Sequence, residues 1–595
     1  MSAVLKPKTE LGMSRTDLRV DPITLEVVRY SLVAMMDETD ANLTRTAFST
    51  IIREYKDYCV GLVTAKGETI AQGRGSIPTF VADLGSPVLD GIAMWGEDIN
   101  EGDFLINNHA GVCGQHLNNV VMYTPIFDYS GVKSKIVAYS ALRTHWPDIG
   151  GGFQRGKGTT EIYQEGIQFR NAKIYKDDKI NVELERIIRY NTRKSEATFG
   201  DLEAQIAGCR LAKRRFEELM ARYGWPTVEA AIHECWDQSE RYVRQKIRQI
   251  PNGRYYAESF MDNDGISEDI IPIRATVIVE DEDITVDFTE MPPQVAGPLN
   301  SGATGGAASA AKVAFKGAVA PMMLPNEGEF RPLKVVTKPG TIVSASEDAA
   351  MALWSTPIKT VIDVVLKAFS QAIPNEIPAG NNAQYGRGMI RGRLPGEKYF
   401  WENGGNTLGG WGGHYGGDGQ SALQTTTHGD CRRVPIEVEE MEGPALVRRF
   451  ELVPDSGGAG RWRGGLSTRM EVVAPMEASA YLTFDRAKFP PWGLYGGKDG
   501  MAGYGQIEKP GEPVQTVTKA FKPIPQGTLV RAVNNGGGGW GNPLERELDA
   551  IAWDVRQGYV TRDAAERDYG VVFAADGAID VSATDKRRQN LKQAA

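Results

Sequence analysis

Residues 107–152 read NNHAGVCGQHLNNVVMYTPIFDYSGVKSKIVAYSALRTHWPDIGGG, and the rest of the chain is interpreted around them. Two runs in this segment, VVMYTPIF and KIVAYSAL, have the length and the β-branched and aromatic content of strands, with a polar turn between them. His116 precedes the first run and His145 follows the second. The segment therefore predicts two strands that bring both imidazoles to one edge of a sheet.

Neutral imidazole is the commonest protein ligand for divalent metals, and a catalytic site usually has three protein ligands and an open position. A carboxylate is the expected third ligand. Asp148 lies three residues after His145, and Asp57 lies in the mostly apolar run EYKDYCVGLV. Asp57 is favoured, because an ionised carboxylate among apolar residues needs a cation or hydrogen-bond donors to offset its burial. The sequence thus predicts a metal site formed by Asp57, His116 and His145.

Other interpretations stay open for the same residues. His109, Cys113 and His116 have separations that also suit a small structural zinc loop, although its fourth ligand would have to come from a distant part of the chain. Cys113 and His116 would alternatively form the nucleophile and base of covalent hydrolysis. Without a metal, the histidines would bond backbone groups of the glycine-rich loop, and Asp57 would pair with a neighbouring cation.

The composition excludes several classes of protein. The chain has 595 residues, which suggests two to four domains, and a net charge of −9, which argues against nucleic acid as a partner. Five scattered cysteines do not form a disulfide pattern and fit a reducing cytoplasm. The start of the chain lacks the apolar core of a signal peptide, and the longest apolar run, 307–324, contains two lysines and is too short for a membrane span.

Helix and strand patterns alternate along the chain. After Asp21-Pro22, apolar residues recur at helical spacing, and residues 55–73 alternate as a hairpin that turns at Ala65-Lys66-Gly67. Further amphipathic helices are predicted at 181–193, 200–224 and 227–250, followed by a strand hairpin at 273–288. The last fifty residues suggest two short helices and a polar tail.

Glycine is the compositional outlier, with 67 residues clustered in runs such as GGWGGHYGGDG and NNGGGGWGNP. Because aromatic residues are interleaved with them, we expect turns at a shared surface rather than disorder. The predicted fold class is α+β, a mixed multidomain protein with mixed sheets, packed helices and long glycine-rich loops. The predicted divisions are a flexible arm at 1–20, an α/β domain with the metal site at 21–253, a β-rich, glycine-rich region at 254–545 and a helical segment at 546–595.

Family motifs occur nearly from end to end. In order, they are DPITLEVVR from Asp21, YKDYC, THWPDIGG, TEIYQEGI from Thr160, GDLEAQIA from Gly200, DSGGAGRWRGG from Asp455 and GGGGWGNPLER. Taken together they resemble the hydantoinase B family, which includes the B-type subunit of ATP-dependent hydantoinases, half of 5-oxoprolinase, caprolactamase, and subunits of acetone and acetophenone carboxylases.

The resemblance implies a metal site in which Asp57, His116 and His145 match family ligands. Asn119 stands where the family has the Asp of a His-x-x-Asp motif. An amide is a weaker ligand than a carboxylate, so the metal would bind less tightly unless another residue compensates. Zn, Mn and Fe all suit a His/Asp site.

His109 and Asp148 are the candidates for that compensation. Asp148 keeps its family position, and the resemblance also gives it a catalytic role as the carboxylate that orients His145. His109 lies close to His116 along the chain.

The resemblance implies a division of labour between two subunits. A hydantoinase A-like partner would bind ATP and Mg²⁺ and phosphorylate a cyclic amide or imide, and this chain would complete its hydrolysis. The run GGFQRGK at 151–157 has phosphate-loop spacing but lacks the following Ser or Thr, which agrees with ATP binding on the partner. Alternatives are a subunit of an ATP-dependent ketone carboxylase, or a scaffold subunit without catalysis. A homodimer contact within an α2β2-type assembly is also expected.

Overall fold

The computed structural model describes residues 19–152, 158–397 and 400–594. The chain forms two compact units, each built from several segments. The first comprises the chain up to Tyr256, Ala275–Ile358 and Thr427–Arg432, and the second comprises Ala257–Arg274, Lys359–Thr426 and the chain from Arg433 onward. The predicted mixed α+β, multidomain class is confirmed.

The four predicted domain ranges stay predictions. Nearly all of the predicted N-terminal arm lies outside the described residues, and so do residues 153–157 of the run with phosphate-loop spacing.

The first unit is built on a seven-stranded antiparallel sheet with the order β2-β1-β5-β4-β3-β6-β7. Its strands are β1 (Tyr58–Thr64), β2 (Thr69–Gln72), β3 (Phe104–Asn107), β4 (Asn119–Asp128), β5 (Lys135–His145), β6 (Ala172–Lys176) and β7 (Lys179–Ile180). The helices of this unit are α1 (Pro22–Thr46), α2 (Thr50–Arg53), α3 (Pro78–Val81), α4 (Gly85–Trp95), α5 (Ala110–Cys113), α6 (Val182–Asn191), α7 (Ser195–Tyr223), α8 (Trp225–Ile247), α9 (Ser309–Val319) and α10 (Glu327–Phe330).

A four-stranded sheet has the order β11-β10-β9-β8. Its strands are β8 (Gly253–Met261), β9 (Ile271–Glu280), β10 (Asp283–Asp287) and β11 (Leu333–Val336). The predicted hairpin is confirmed, since Val277 pairs with Val286 and Val279 with Ile284.

The second unit contains two further sheets, with the orders β13-β12-β16-β19 and β14-β15-β20-β17-β18. The strands are β12 (Arg387–Arg393), β13 (Phe400–Asn406), β14 (Leu446–Leu452), β15 (Thr468–Val473), β16 (Ala478–Thr483), β17 (Tyr504–Glu508), β18 (Gln515–Val517), β19 (Lys519–Ile524) and β20 (Leu529–Val533). The remaining helices are α11 (Ser355–Ser370), α12 (Ile436–Glu442), α13 (Leu548–Arg556), α14 (Arg562–Tyr569) and α15 (Val581–Ala594).

Helix α1 begins where the sequence predicts it. The Asp21 side chain accepts hydrogen bonds from the N–H groups of Ile23 and Thr24, and Pro22 occupies the first turn. The apolar residues at helical spacing face inward, and α1 packs against α7. This helix pair supports the sheet that carries the candidate site.

The centre of the sheet is tied to α7 by one buried amide. Gln205 donates from Nε2 to the carbonyl oxygens of Val120 (3.0 Å) and Leu142 (2.9 Å), and its Oε1 accepts from Thr144 (3.0 Å) and Trp146 (3.3 Å). All four hydrogen bonds end near the point where β4 starts and β5 ends. The helix therefore fixes the sheet edge that the histidines occupy.

The glycine-rich runs do not form the turns at a shared surface that the sequence predicted. They form extended segments that hydrogen-bond to one another, and most of their residues are buried rather than at a surface. A Cβ on Gly537 would lie 1.9 Å from the carbonyl oxygen of Trp411, and one on Gly410 would lie 1.9 Å from that of Gly465. Backbones packed this closely leave no room for a side chain, which explains the glycine content.

The C-terminal tail also differs from its prediction. Residues predicted as a polar tail form α15, which Asp580 caps by accepting the N–H of Ala583. Arg588 in this helix donates to the carbonyl oxygens of Tyr569 and Arg546. A helix held in place by polar contacts of this kind has no apolar periodicity, so the sequence pattern did not predict it. Across the described ranges, none of the helices combines the length and the apolar character that a membrane span needs.

Candidate metal centre

Asp57 lies in the turn between α2 and β1. Lys56, which precedes it, has a φ of 63°, a left-handed conformation that residues other than glycine rarely adopt. The N–H of Asp57 donates to the carbonyl oxygen of Ile51 (2.9 Å), and the carbonyl oxygen of Asp57 accepts the N–H of His145 (3.0 Å). The backbone therefore holds Asp57 directly beside His145.

His145 ends β5 and pairs in register with Asn119, which starts β4. His116 lies just before β4, and its ring centroid is 4.9 Å from that of His145, with the rings nearly perpendicular. The Nε2 atom of His116 lies 2.9 Å from Oδ1 of Asn119. The structure thus brings His116, Asn119 and His145 together, and Asp57 adjoins them through its backbone.

A chain of hydrogen bonds orients the Asn119 amide. Gln115 Nε2 donates to the carbonyl oxygen of Thr79 (3.4 Å), so that Gln115 Oε1 accepts from Asn119 Nδ2 (2.8 Å). Asn119 Oδ1 is then the atom that faces His116. The other ring nitrogen of His116 lies 3.3 Å from the carbonyl oxygen of Ala352. A neutral imidazole has one N–H, so it donates to one of these two oxygens at a time.

One distance in this group matches the spacing of two ligands on a divalent cation. Two ligand atoms at right angles on a cation with bonds of about 2.1 Å lie about 3.0 Å apart. The 2.9 Å between His116 Nε2 and Asn119 Oδ1 suits such a pair as well as it suits a hydrogen bond. Among the residues that the structure describes, no three His, Cys, Asp or Glu side chains form a metal-binding group. The group assembled here consists instead of two imidazoles and an amide.

A short segment after β11 forms one wall of the group. The ring of Trp354 lies 6.2 Å from that of His116, between centroids, and the Ala352 carbonyl faces the same imidazole. Both contacts limit the positions open to the His116 ring. The wall therefore sets the direction in which this imidazole points.

Glu165 holds that wall in place. Its carboxylate accepts the N–H groups of Met351 (3.0 Å) and Ala352 (2.9 Å) and the hydroxyl of Thr159 (2.8 Å). Burial raises the pKa of Glu165 to about 7, although the same hydrogen bonds favour the ionised form and oppose the shift. Glu165 reaches His116 only through the segment that it anchors.

Asp148 is buried close to His145 along the chain. Its carboxylate accepts hydrogen bonds from the N–H of Gly150 (3.2 Å) and from Nη1 of Arg193 (3.2 Å). The pair with Arg193 compensates the charge of a buried carboxylate. Its predicted roles, as a further ligand or as the residue that orients His145, stay predictions.

His109 and Cys113 flank the short helix α5. His109 is its N-cap, with Nδ1 accepting the N–H of Gly111 (3.2 Å), and burial lowers the pKa of this imidazole. Cys113 is fully buried, and its burial raises the pKa of the thiol to about 12. A thiol that stays protonated is a poor nucleophile, so covalent hydrolysis by Cys113 is disfavoured. The role of His109 as an additional ligand stays a prediction.

The comparison with known proteins identifies the family. The hydantoinase B/oxoprolinase model matches residues 21–543.

This chain belongs to the hydantoinase B/oxoprolinase family.

Relatives of the family extend over nearly the whole chain. The B-type subunit of a putative D-/L-hydantoinase of Pseudomonas sp. (strain NS671) is 31% identical, with 96% of this chain and 99% of that protein covered. The crystal structure of ATP-dependent caprolactamase from Pseudomonas jessenii superposes with a TM-score of 0.88 at 29% identity, covering 96% of this chain and all of that chain. The nucleotide-free structure of acetone carboxylase shares the fold, with a TM-score of 0.86 at 18% identity over 96% of this chain and 83% of that one.

Several residues around the candidate site were not predicted from the sequence. Gln115 lies next to His116, and a polar residue at that point of a site loop is a usable local signal. Glu165 lies in the TEIYQEGI motif, but the motif does not connect it to the histidines; Glu165, Ala352 and Trp354 reach the site only through the fold.

Proposed function

We propose that this chain is a subunit of an ATP-dependent amidohydrolase that hydrolyses a cyclic amide or imide activated on a separate, ATP-binding A-type subunit. The observation that carries the proposal is the match in fold to ATP-dependent caprolactamase, which extends over 96% of this chain at 29% identity. The naming of a similar protein as the B-type subunit of a hydantoinase supports an A-type partner. The substrate is a small molecule.

The proposed site consists of Asp57, His116 and His145, with the Asn119 oxygen as a weaker ligand. His109 and Asp148 are further candidates for ligands.

A divalent cation bound there, Zn, Mn or Fe, would supply Lewis acidity to the activated carbonyl group.

The protein's own groups have separate roles in this proposal. Gln115 keeps the amide oxygen of Asn119 directed at His116 through the 2.8 Å hydrogen bond. Trp354 lies edge-on to the His116 imidazole, 6.2 Å away between ring centroids, and limits the movement of that ring. Asp57, tied to the N–H of His145, brings a carboxylate to the end of β5. An anionic group beside two imidazoles balances the charge of a bound cation.

Turnover by the purified complex with the A-type subunit tests the proposal. We expect ATP-dependent ring opening of a cyclic amide that does not need bicarbonate. His145→Ala should abolish it. His233→Ala is the matched control, because His233 lies in α8 with its ring against Trp236 and has no part in the site. Equal loss in both variants would contradict the proposed role of His145.

Bicarbonate separates the main proposal from the ketone carboxylase alternative. The shared fold with acetone carboxylase is the observation behind that alternative. Turnover that requires bicarbonate and a ketone would establish it and overturn the amidohydrolase. A scaffold subunit would instead contain well under one equivalent of metal while still binding its partner.

The assembly is proposed as α2β2, with a contact between two copies of this chain. Mass measurement of the intact complex tests it, and a mass equal to one copy of each subunit would contradict it. The proposed location is the cytoplasm, consistent with five cysteines that form no disulfide.

A further inference from the structure

The turn that presents Asp57 is strained. Lys56 adopts a φ of 63°, which is unfavourable for a residue with a side chain relative to an ordinary backbone conformation. Its carbonyl oxygen accepts the N–H of Tyr58 (3.0 Å), which closes a tight turn around Asp57. A strained conformation persists where surrounding contacts hold it.

Those contacts come from Thr427–Arg432, called here the docked loop, which belongs to the same compact unit. The Cys431 thiol donates to the carbonyl oxygen of Lys56 (3.5 Å), and the N–H of Arg432 donates to the carbonyl oxygen of Tyr55 (3.0 Å). The Lys56 ammonium group lies 3.7 Å from the Asp430 carboxylate. The docked loop thus holds both the backbone and the side chain of the strained turn.

The docked loop is itself anchored on its far side. The hydroxyl of Thr79 donates to the carbonyl oxygen of Thr427 (3.2 Å). Gly429 has a φ of 50°, and a Cβ there would lie 2.8 Å from Cδ of Pro78. The loop therefore lies between α3 and the Asp57 turn. Thr79 also accepts the hydrogen bond from Gln115, so the same short helix supports the Asn119 amide.

The Cys431 thiol is suited to donating a hydrogen bond and unsuited to reacting. Burial raises its pKa well above the usual value, and the charges of Asp57 and Asp430 raise it further. A thiol in this setting keeps its proton and remains a donor to the Lys56 carbonyl.

We propose that the docked loop is a positioning element of the metal centre: by holding the left-handed turn at Lys56, it fixes Asp57 beside His145. This inference rests on the proposed function, because it takes Asp57 as a ligand. Cys431 is a positioning residue, since it acts through the Lys56 backbone. Residues remote in sequence from the histidines thereby set the strength of cation binding.

Metal affinity of the full chain, measured for Zn²⁺ and Mn²⁺ by competition with a chromophoric chelator, tests the inference. Cys431→Ala removes the donor and should weaken binding about tenfold, the size expected when a residue supporting a ligand is lost. Cys209→Ala is the matched control, because Cys209 is also buried but its thiol contacts the carbonyl oxygen of Met122 in the sheet. It should lower the unfolding temperature and leave the affinity within about twofold of wild type.

Two further variants distinguish positioning from general destabilisation. Cys431→Ser keeps a donor and should recover much of the affinity. Lys56→Gly in the Cys431→Ala background makes the left-handed turn less costly and should raise the affinity again. Asp430→Asn removes only the partly exposed ion pair with Lys56 and keeps the test available if Cys431→Ala fails to fold. We expect it to lower the metal affinity about twofold.

The outcomes separate this inference from the proposed function. A wild-type chain that binds neither of these metals, and does not bind Fe²⁺ in the same assay, overturns both. Wild-type binding with unchanged affinity in Cys431→Ala overturns only the positioning role. Equal losses in Cys431→Ala and Cys209→Ala would likewise contradict it, because a general loss of packing would then explain the effect.

Discussion

Replacing Asn119 with Asp distinguishes a metal centre from a hydrogen-bonded pair of histidines. Asn119 is only 1% exposed, and its Nδ2 donates to Oε1 of Gln115 at 2.8 Å. The aspartate side chain has no N–H, so one of its oxygens would face Oε1 of Gln115, which is also an acceptor. An unsatisfied buried polar group costs about 1–3 kcal/mol, and Asn119→Asp should therefore lower the unfolding temperature of the metal-free protein.

When a divalent cation binds, the Asn119→Asp substitution becomes favourable. A unit charge about 4 Å from a carboxylate is attracted by about 4 kcal/mol at the effective dielectric constant of a protein surface. The lost hydrogen bond is missing both with and without metal and therefore cancels. The amide oxygen of the wild type already supplies part of this attraction, so the net gain on adding the charge is about 1–3 kcal/mol. Asn119→Asp should therefore bind Zn²⁺ or Mn²⁺ roughly 5- to 150-fold more tightly than wild type.

The assay combines chelator competition with thermal unfolding in the presence and absence of metal. Asn118→Asp is the matched control, because Asn118 donates to the carbonyl oxygen of Trp146 (2.9 Å) and the variant adds the same charge one residue away. We expect Asn118→Asp to destabilise the protein without raising the affinity. If Asn119→Asp binds metal no better than wild type, or Asn118→Asp improves binding equally, the Asn119 oxygen does not face the cation.

Three further predictions concern stability. The pKa of Glu165, about 7, lies above its ordinary value of 4.5. The contribution of Glu165 to the free energy of unfolding is therefore full below pH 4.5 and is lost, by about 3 kcal/mol, as the pH rises through 7. Glu165→Gln should flatten this dependence of the free energy of unfolding on pH in urea titrations, and an unchanged pH dependence would contradict the prediction. Gly537→Ala should lower the unfolding temperature or prevent folding, because its Cβ meets backbone, whereas Gly317→Ala, with nothing within 4 Å, should be neutral or slightly stabilising in the same scan. Asp83→Asn breaks a fully buried ion pair with Arg143 and should lower the free energy of unfolding by about 3–5 kcal/mol. Urea unfolding measures this loss, and a midpoint near that of the wild type would refute the prediction.

Local patterns predicted the parts of the fold that depend on neighbouring residues. The pairing of β4 with β5 follows from two β-rich runs joined by a polar turn, and it puts Asn119 opposite His145. The cap of α1 at Asp21 follows from the same kind of local chemistry. The convergence of the two histidines was therefore accessible from the sequence.

Contacts between distant segments could not be predicted in this way. Cys431 reaches Lys56 across 375 positions, and no spacing rule relates the two. The wall around Ala352 reaches His116 across 236 positions. The glycine runs have no hydrophobic period, because their backbones pack on one another without side chains. Such contacts depend on the complete fold and leave no local pattern.

Anomalous diffraction from crystals grown with Zn²⁺ or Mn²⁺ would show whether a cation binds at the end of β5. We expect one strong peak bonded to His116 and His145, with Asp57 and the Asn119 oxygen next to it. No peak there, or a peak held by His109 and other groups away from the end of β5, would contradict it.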